Sequence, residues 1–119
     1  MQTKIKPSVF SEISLLLEYS ERIYREYWKS DNQFIYASML RNVNSKLYEC
    51  LVNNSCYLTI DSRANAIELM LHLDVWKQIY DCEFQLQTPN LRDKFTFDND
   101  VKFPRDNVKK LLLELGSLE

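Results

Sequence analysis

The sequence predicts an all-α fold, an antiparallel up-down four-helix bundle, and three observations carry that expectation. Glycine is nearly absent, with one in 119 residues beside three prolines. Tight β-turns, P-loops and dinucleotide fingerprints all use glycine for positive φ or close backbone approach, so they are nearly excluded. Apolar residues recur at three- and four-residue spacing through four long segments, the signature of amphipathic helices. The links between these segments are short, and short links make neighbouring helices antiparallel. The length fits one domain spanning 1–119 that can bury a proper core, and a hydrophobic fraction of 45% is ordinary for a globular chain.

After a polar start over residues 1–6, Pro7 and Ser8 signal a helix. Proline suits a first turn, and serine can accept from its free N–H groups. Val9, Phe10, Ile13, Leu16, Leu17, Ile23, Tyr24, Tyr27 and Trp28 then form one stripe, predicting a helix over 8–30. Arg22, Arg25 and Lys29 make a basic line on its flank, either a solvated helix face or a phosphate-binding edge. Ser30, Asp31 and Asn32 are candidate caps for a second helix over 33–58, striped by Tyr36, Met39, Leu40, Val43, Leu47, Cys50, Leu51 and Leu58. Asp61 or Ser62 can cap a third helix over 62–87. The alternating stretch Lys94-Phe95-Thr96-Phe97 and Val101-Lys102-Phe103, around Asp98-Asn99-Asp100, admits a short hairpin or an ordered loop folding its phenylalanines onto the bundle end. Pro104 and Asp106 open a last helix over 104–118, carrying Val108, Leu111, Leu112, Leu115 and Leu118. The expected core is Leu16, Ile23, Leu40, Leu47, Leu73, Trp76 and Leu112.

The third helix is unusual because it is apolar on two sides. Ala66, Leu69, Met70, Leu73, Trp76, Tyr80 and Phe84 lie along one line. Leu71, Val75, Ile79, Cys82 and Leu86 lie along another, about half a turn away. A surface helix needs one apolar stripe, so a helix with two must be covered twice. The second line, with Leu71, Val75, Ile79 and Leu86 as contact residues, predicts an interface with another copy of the chain; the alternative is that the first or last helix folds over it. Large aliphatics left in water would form a patch that monomers avoid.

Nothing points to catalysis. Acid–base and nucleophilic chemistry need positioned groups with tuned pKa values, and His72 is the only histidine, reading as a packed or surface residue. Cys50, Cys56 and Cys82 fit no zinc or disulfide spacing and read as buried or half-buried thiols. Asp98, Asn99 and Asp100 lack the glycine and distal glutamate of a calcium loop and read as turn residues. No catalytic residue, metal, cofactor or small-molecule substrate is therefore expected. The net charge of -2 gives no overall case for a nucleic-acid or membrane partner. With no apolar run near the roughly 20 residues a bilayer needs and no signal core, a soluble, cytoplasmic protein is expected.

Several stretches carry a resemblance: Tyr19 to Trp28, Phe34 to Leu51 with Met39-Leu40-Arg41, Ile79-Tyr80-Asp81, and Leu112-Leu113-Glu114-Leu115-Gly116-Ser117-Leu118. Over nearly its whole length the chain resembles the four-helix-bundle proteins typified by the accessory variability determinant of diversity-generating retroelements (Avd-like), whose relatives are encoded in intervening sequences of bacterial ribosomal RNA genes. It lacks the Asn-Ile-Ala-Glu-Gly-like stretch of those relatives, and it is slightly acidic where the retroelement proteins are basic. The resemblance implies a non-enzymatic homo-oligomer, usually a pentamer, that binds a reverse transcriptase and its template RNA or DNA. Arg22, Arg25, Lys29, Arg41 and Lys46 are the candidate nucleic-acid contacts. The alternative is a small phage or mobile-element interaction module that binds and regulates a partner protein without touching nucleic acid.

Overall fold

A computed structural model describes residues 5–99 and 102–116. The fold is all-α: α1 (Ile5–Lys29), α2 (Phe34–Asn53), α3 (Ile60–Gln87) and α4 (Arg105–Gly116), with no strand among the described residues. A 3-10 turn, Ser55–Tyr57, follows α2, so Leu58 lies beyond that helix yet still packs against the core. Helix α1 begins at Ile5 rather than at residue 8, with Pro7 inside its first turn, where a missing N–H costs nothing. The shape is elongated, 49 × 22 × 21 Å. Each long side of it follows from which helices touch: α1 packs on α2 and α4, and α3 packs on α2 and α4.

The core divides along the long axis. At one end Val9 and Ile13 of α1, Leu47 and Leu51 of α2, Leu69 and Leu73 of α3, and Leu111 and Leu115 of α4 share one buried cluster. Midway, Ile23 meets Leu40 and Val43. At the far end Phe34, Ala37, Tyr80 and Phe95 form a third cluster, against which Tyr27, Trp76 and Phe97 pack. Of the expected core, Ile23, Leu40, Leu47 and Leu73 are buried, while Leu16, Trp76 and Leu112 are half-buried against these clusters. Tyr24 and Trp28 depart from expectation. Both are exposed, because the last turns of α1 have no neighbour on that side.

Helix lengths explain the three-part core. At 1.5 Å per residue the 28 residues of α3 span about 42 Å, and the 12 of α4 only about 18 Å. The segment over 88–99 fills the place that α4 does not reach. No hairpin forms among the described residues; a single bridge joins Gln33 and Lys94, and the segment is an ordered loop. Phe95 is fully buried, edge-on to Phe34 at 5.2 Å and to Tyr80 at 5.3 Å. Asp100 lies outside the described residues.

This loop also completes α2. The first N–H groups of a helix have no partner within it. Here the Phe34 N–H donates to the Asp93 carbonyl at 2.8 Å and the Ile35 N–H to the Leu91 carbonyl at 2.9 Å. The Phe95 N–H returns a bond to the Asn32 carbonyl at 2.8 Å, and the Tyr27 hydroxyl donates to the Phe95 carbonyl. Ser30, Asp31 and Asn32 are therefore not the caps the sequence predicts. Asp31 and Asn32 take positive φ, 62° and 64°, and turn the chain instead, while Gln33 holds the cap position. In α3 the cap lies two residues before Asp61 and three before Ser62. Thr59, rather than Asp61 or Ser62, holds it, its hydroxyl oxygen accepting from the Ser62 N–H at 3.1 Å. Helix α4 ends at its one glycine, where a Cβ would come within 3.3 Å of the Phe10 ring.

Candidate interaction surface

The outward side of α3 carries a strip of exposed apolar side chains. Leu71 is 55% exposed and Leu86 73%, while Val75 and Ile79 are half-buried. The same side continues towards the helix start, through Ile60 at 87% exposed and Ile67 at 58%, with Ala64 between them also exposed. The sequence reading missed these three. A continuation of the same spacing back from Leu71 would have found them. On α4, Leu113 is exposed too and borders this strip across a shallow groove lined by Asp61, Ala64, Asn65, Lys110 and Glu114. Cys82 lies on the strip and is exposed, as is Cys56, so only Cys50 matches the expectation of a covered thiol. Burial, reinforced by the nearby Glu12 carboxylate, pushes the Cys50 thiol up to about 11, which keeps it protonated and unreactive.

The five candidate cations do not gather in one place. Arg41 of α2 points to α3 and grips Asp81, its Nε donating to Oδ1 at 2.7 Å and an Nη to Oδ2 at 3.1 Å, while its guanidinium lies over the Tyr80 ring at 5.8 Å. That fork holds the Asp81 carboxyl below the usual range for an aspartate and raises Arg41. Arg22 pairs with Glu26 at 3.0 Å, and Lys29 approaches the same carboxylate at 3.9 Å. Lys46 lines a shallow groove between α1 and α2, beside Glu12 and Glu49. Arg25 is exposed and makes no ion pair among the described residues.

Beside Arg25 and Lys29 lies a group of aromatic rings. Trp28 stands edge-on to Tyr24 at 6.1 Å and to Tyr27 at 5.8 Å. Tyr24 and Trp28 are exposed, whereas Tyr27 is half-buried and its hydroxyl is raised, chiefly by burial. His72, on the flank of α3, packs edge-on against Phe103 at 5.4 Å, joining the start of α4 to the middle of α3. Among the described residues no group of three His, Cys, Asp or Glu side chains is arranged to hold a metal, and no helix is long and apolar enough to cross a membrane. Comparison with protein-family models, curated proteins and solved structures gave no match.

Proposed function

We propose that this chain is a non-enzymatic accessory module, an up-down antiparallel four-helix bundle in the cytoplasm that works by assembling with itself and docking a partner protein. The exposed apolar strip on α3 carries this reading. Ile60, Ile67, Leu71 and Leu86 stay more than half exposed opposite the stripe that fills the core, and burying each is worth about 1.5–3 kcal/mol. The antiparallel order is supported by the shared clusters, in which the first turns of α1 meet the last turns of α2, and the last turns of α2 meet the first turns of α3. Light scattering on the wild type and on Leu71→Glu tests self-assembly. The wild type should run above its 14.2 kDa monomer mass at micromolar concentration, and the variant should fall to that mass with its helical circular dichroism intact. A wild type that stays monomeric at several hundred micromolar would remove the reading.

A second reading, template RNA or DNA bound beside a reverse transcriptase as in the Avd-like proteins, is favoured by one observation. Trp28 and Tyr24 are exposed next to Arg25 and Lys29, and rings beside cations give single-stranded nucleic acid a stacking surface. Against it stand the carboxylates that already engage Arg41, Arg22 and Lys29. Fluorescence titration with single-stranded and structured RNA at low salt separates the two. Binding that weakens with salt and is lost in Arg25→Glu and Trp28→Ala would favour the nucleic-acid reading. Absence of binding leaves the protein-docking module.

A further inference from the structure

The loop over 88–99 is held on the bundle end by a single buried anchor. Phe95 is its one fully buried residue; Pro89, Phe97 and Asn99 are half-buried and the others are exposed. Main-chain bonds tie it to the start of α2 and the turn before it, and one antiparallel bridge pairs Lys94 with Gln33. Its outer ties are solvated. The Lys94 ammonium lies 3.6 Å from the Asp31 carboxylate, and Arg92 donates to the Gln33 side chain at 3.0 Å. Surface contacts of this kind hold weakly.

Two features of the closed loop are unfavourable. At its hinge Thr88 takes φ 41° and ψ 58°, in the left-handed region. Glycine usually fills that position after a helix, because a β-branched side chain is crowded there. Pro89 adds to the strain, since a residue before proline favours extended backbone. At its seat Asn32 is only 6% exposed, and its side-chain amide nitrogen has no hydrogen-bond partner among the described residues. The Tyr27 hydroxyl beside it donates to the Phe95 carbonyl instead. Buried donors are nearly always paired, and a stranded one is destabilising. Lifting the loop relieves both, by letting Thr88 relax to extended backbone and opening the Asn32 amide to solvent.

We propose that the seat of this loop is the dock for a partner protein, and that residues 88–99 are an internal ligand that a partner segment displaces. The contacts of the loop define the partner's chemistry. It is an extended segment with a phenylalanine for the pocket between Phe34 and Tyr80. Carbonyls two and four residues before that ring accept from the Phe34 and Ile35 N–H groups, and the ring residue's own N–H donates to the Asn32 carbonyl. Main-chain bonds combined with a side-chain pocket are a recurring way to bind extended peptides.

A partner segment has two advantages over the loop. It leaves Thr88 free to relax, and a side-chain oxygen on it can accept from the Asn32 amide. A second copy of this chain is a poorer occupant. Its loop is tied at both ends, to α3 and α4, and cannot reach another bundle while α4 stays packed. This inference rests on the partner-docking part of the reading above and is independent of the α3 strip, so the dock and self-assembly fail separately.

The probe is a labelled peptide with the sequence of residues 89–99, and the readout is fluorescence anisotropy. Phe95→Ala protein, its helical circular dichroism intact, should bind the peptide about a hundredfold more tightly than wild type, whose own loop competes. The same peptide with alanine in place of the Phe95 ring should not bind. In wild type, the Phe34 and Ile35 amides should exchange by local opening, well before those of Leu47 and Leu69. Thr88→Gly removes the crowding at the hinge and should slow that exchange about fivefold. Absence of saturable binding to folded Phe95→Ala would overturn the dock. Exchange of all four amides at one rate in wild type would overturn the opening, and that measurement stands even where Phe95→Ala does not fold. Self-association of wild type that Thr88→Gly abolishes would overturn the choice of a partner segment and name a second copy's loop as the occupant.

Discussion

Replacing Phe95 by alanine tests how the short fourth helix is compensated. The ring is fully buried and packed on Phe34 at 5.2 Å, Tyr80 at 5.3 Å and Phe97 at 5.6 Å. Truncating such a phenylalanine typically costs about 3–5 kcal/mol, transfer and cavity terms together. The lower half of that range suits this site, because the loop over 88–99 lies at the surface and can partly collapse into the space. With a urea dependence of about 1.5 kcal/mol per molar for a chain of this size, the unfolding midpoint should fall by about 2 M. The loss has a local signature as well. The Phe34 and Ile35 amides are held by carbonyls of Asp93 and Leu91, so loosening the loop should speed their hydrogen exchange before that of the Leu47 and Leu69 amides. Thr96→Ala, on an exposed neighbour, is the control and should change stability by less than about 0.5 kcal/mol. A loss below about 1 kcal/mol for Phe95→Ala, or unchanged exchange at Phe34 and Ile35, would refute the account of the loop as the missing part of the core.

Two further expectations concern charge and thiols. Asp81 has a lowered pKa in the fold, so its contribution is present above the ordinary aspartate value of 3.8 and is lost as pH falls through the lower folded value. Asp81→Asn should therefore flatten the acid limb of the stability curve below about pH 4 and cost roughly 0.5–1 kcal/mol at neutral pH, a modest figure because both partners are partly exposed; an acid limb identical to wild type would contradict it. In native protein at pH 8, a thiol reagent should label Cys56 and Cys82 quickly and Cys50 only after unfolding, and EDTA and reductants should leave the melting temperature unchanged. Fast labelling of Cys50, or a shift of several degrees with EDTA, would show a different arrangement.

Periodicity made the four helices legible. Stripes such as Val9, Ile13 and Ile23, or Leu40, Val43 and Leu47, specify both the element and the face it buries, because 3.6-residue geometry leaves no other way to hide them. The two-sided character of α3 was equally visible, since Leu71 and Leu73 cannot point the same way on one helix. Three other matters were decided only by tertiary structure. Which residues cap α2 depended on carbonyls of Leu91 and Asp93, more than fifty positions away, and local sequence offered Ser30, Asp31 and Asn32 as well-suited decoys. Whether Arg41 stays available depended on α3 presenting Asp81 to it, a meeting that no spacing within α2 encodes. The fate of Tyr24 and Trp28 depended on what lies beside the end of α1. Their spacing says that they share a side with the core stripe, but a stripe is buried only where a neighbour exists to cover it, and there the fold supplies none.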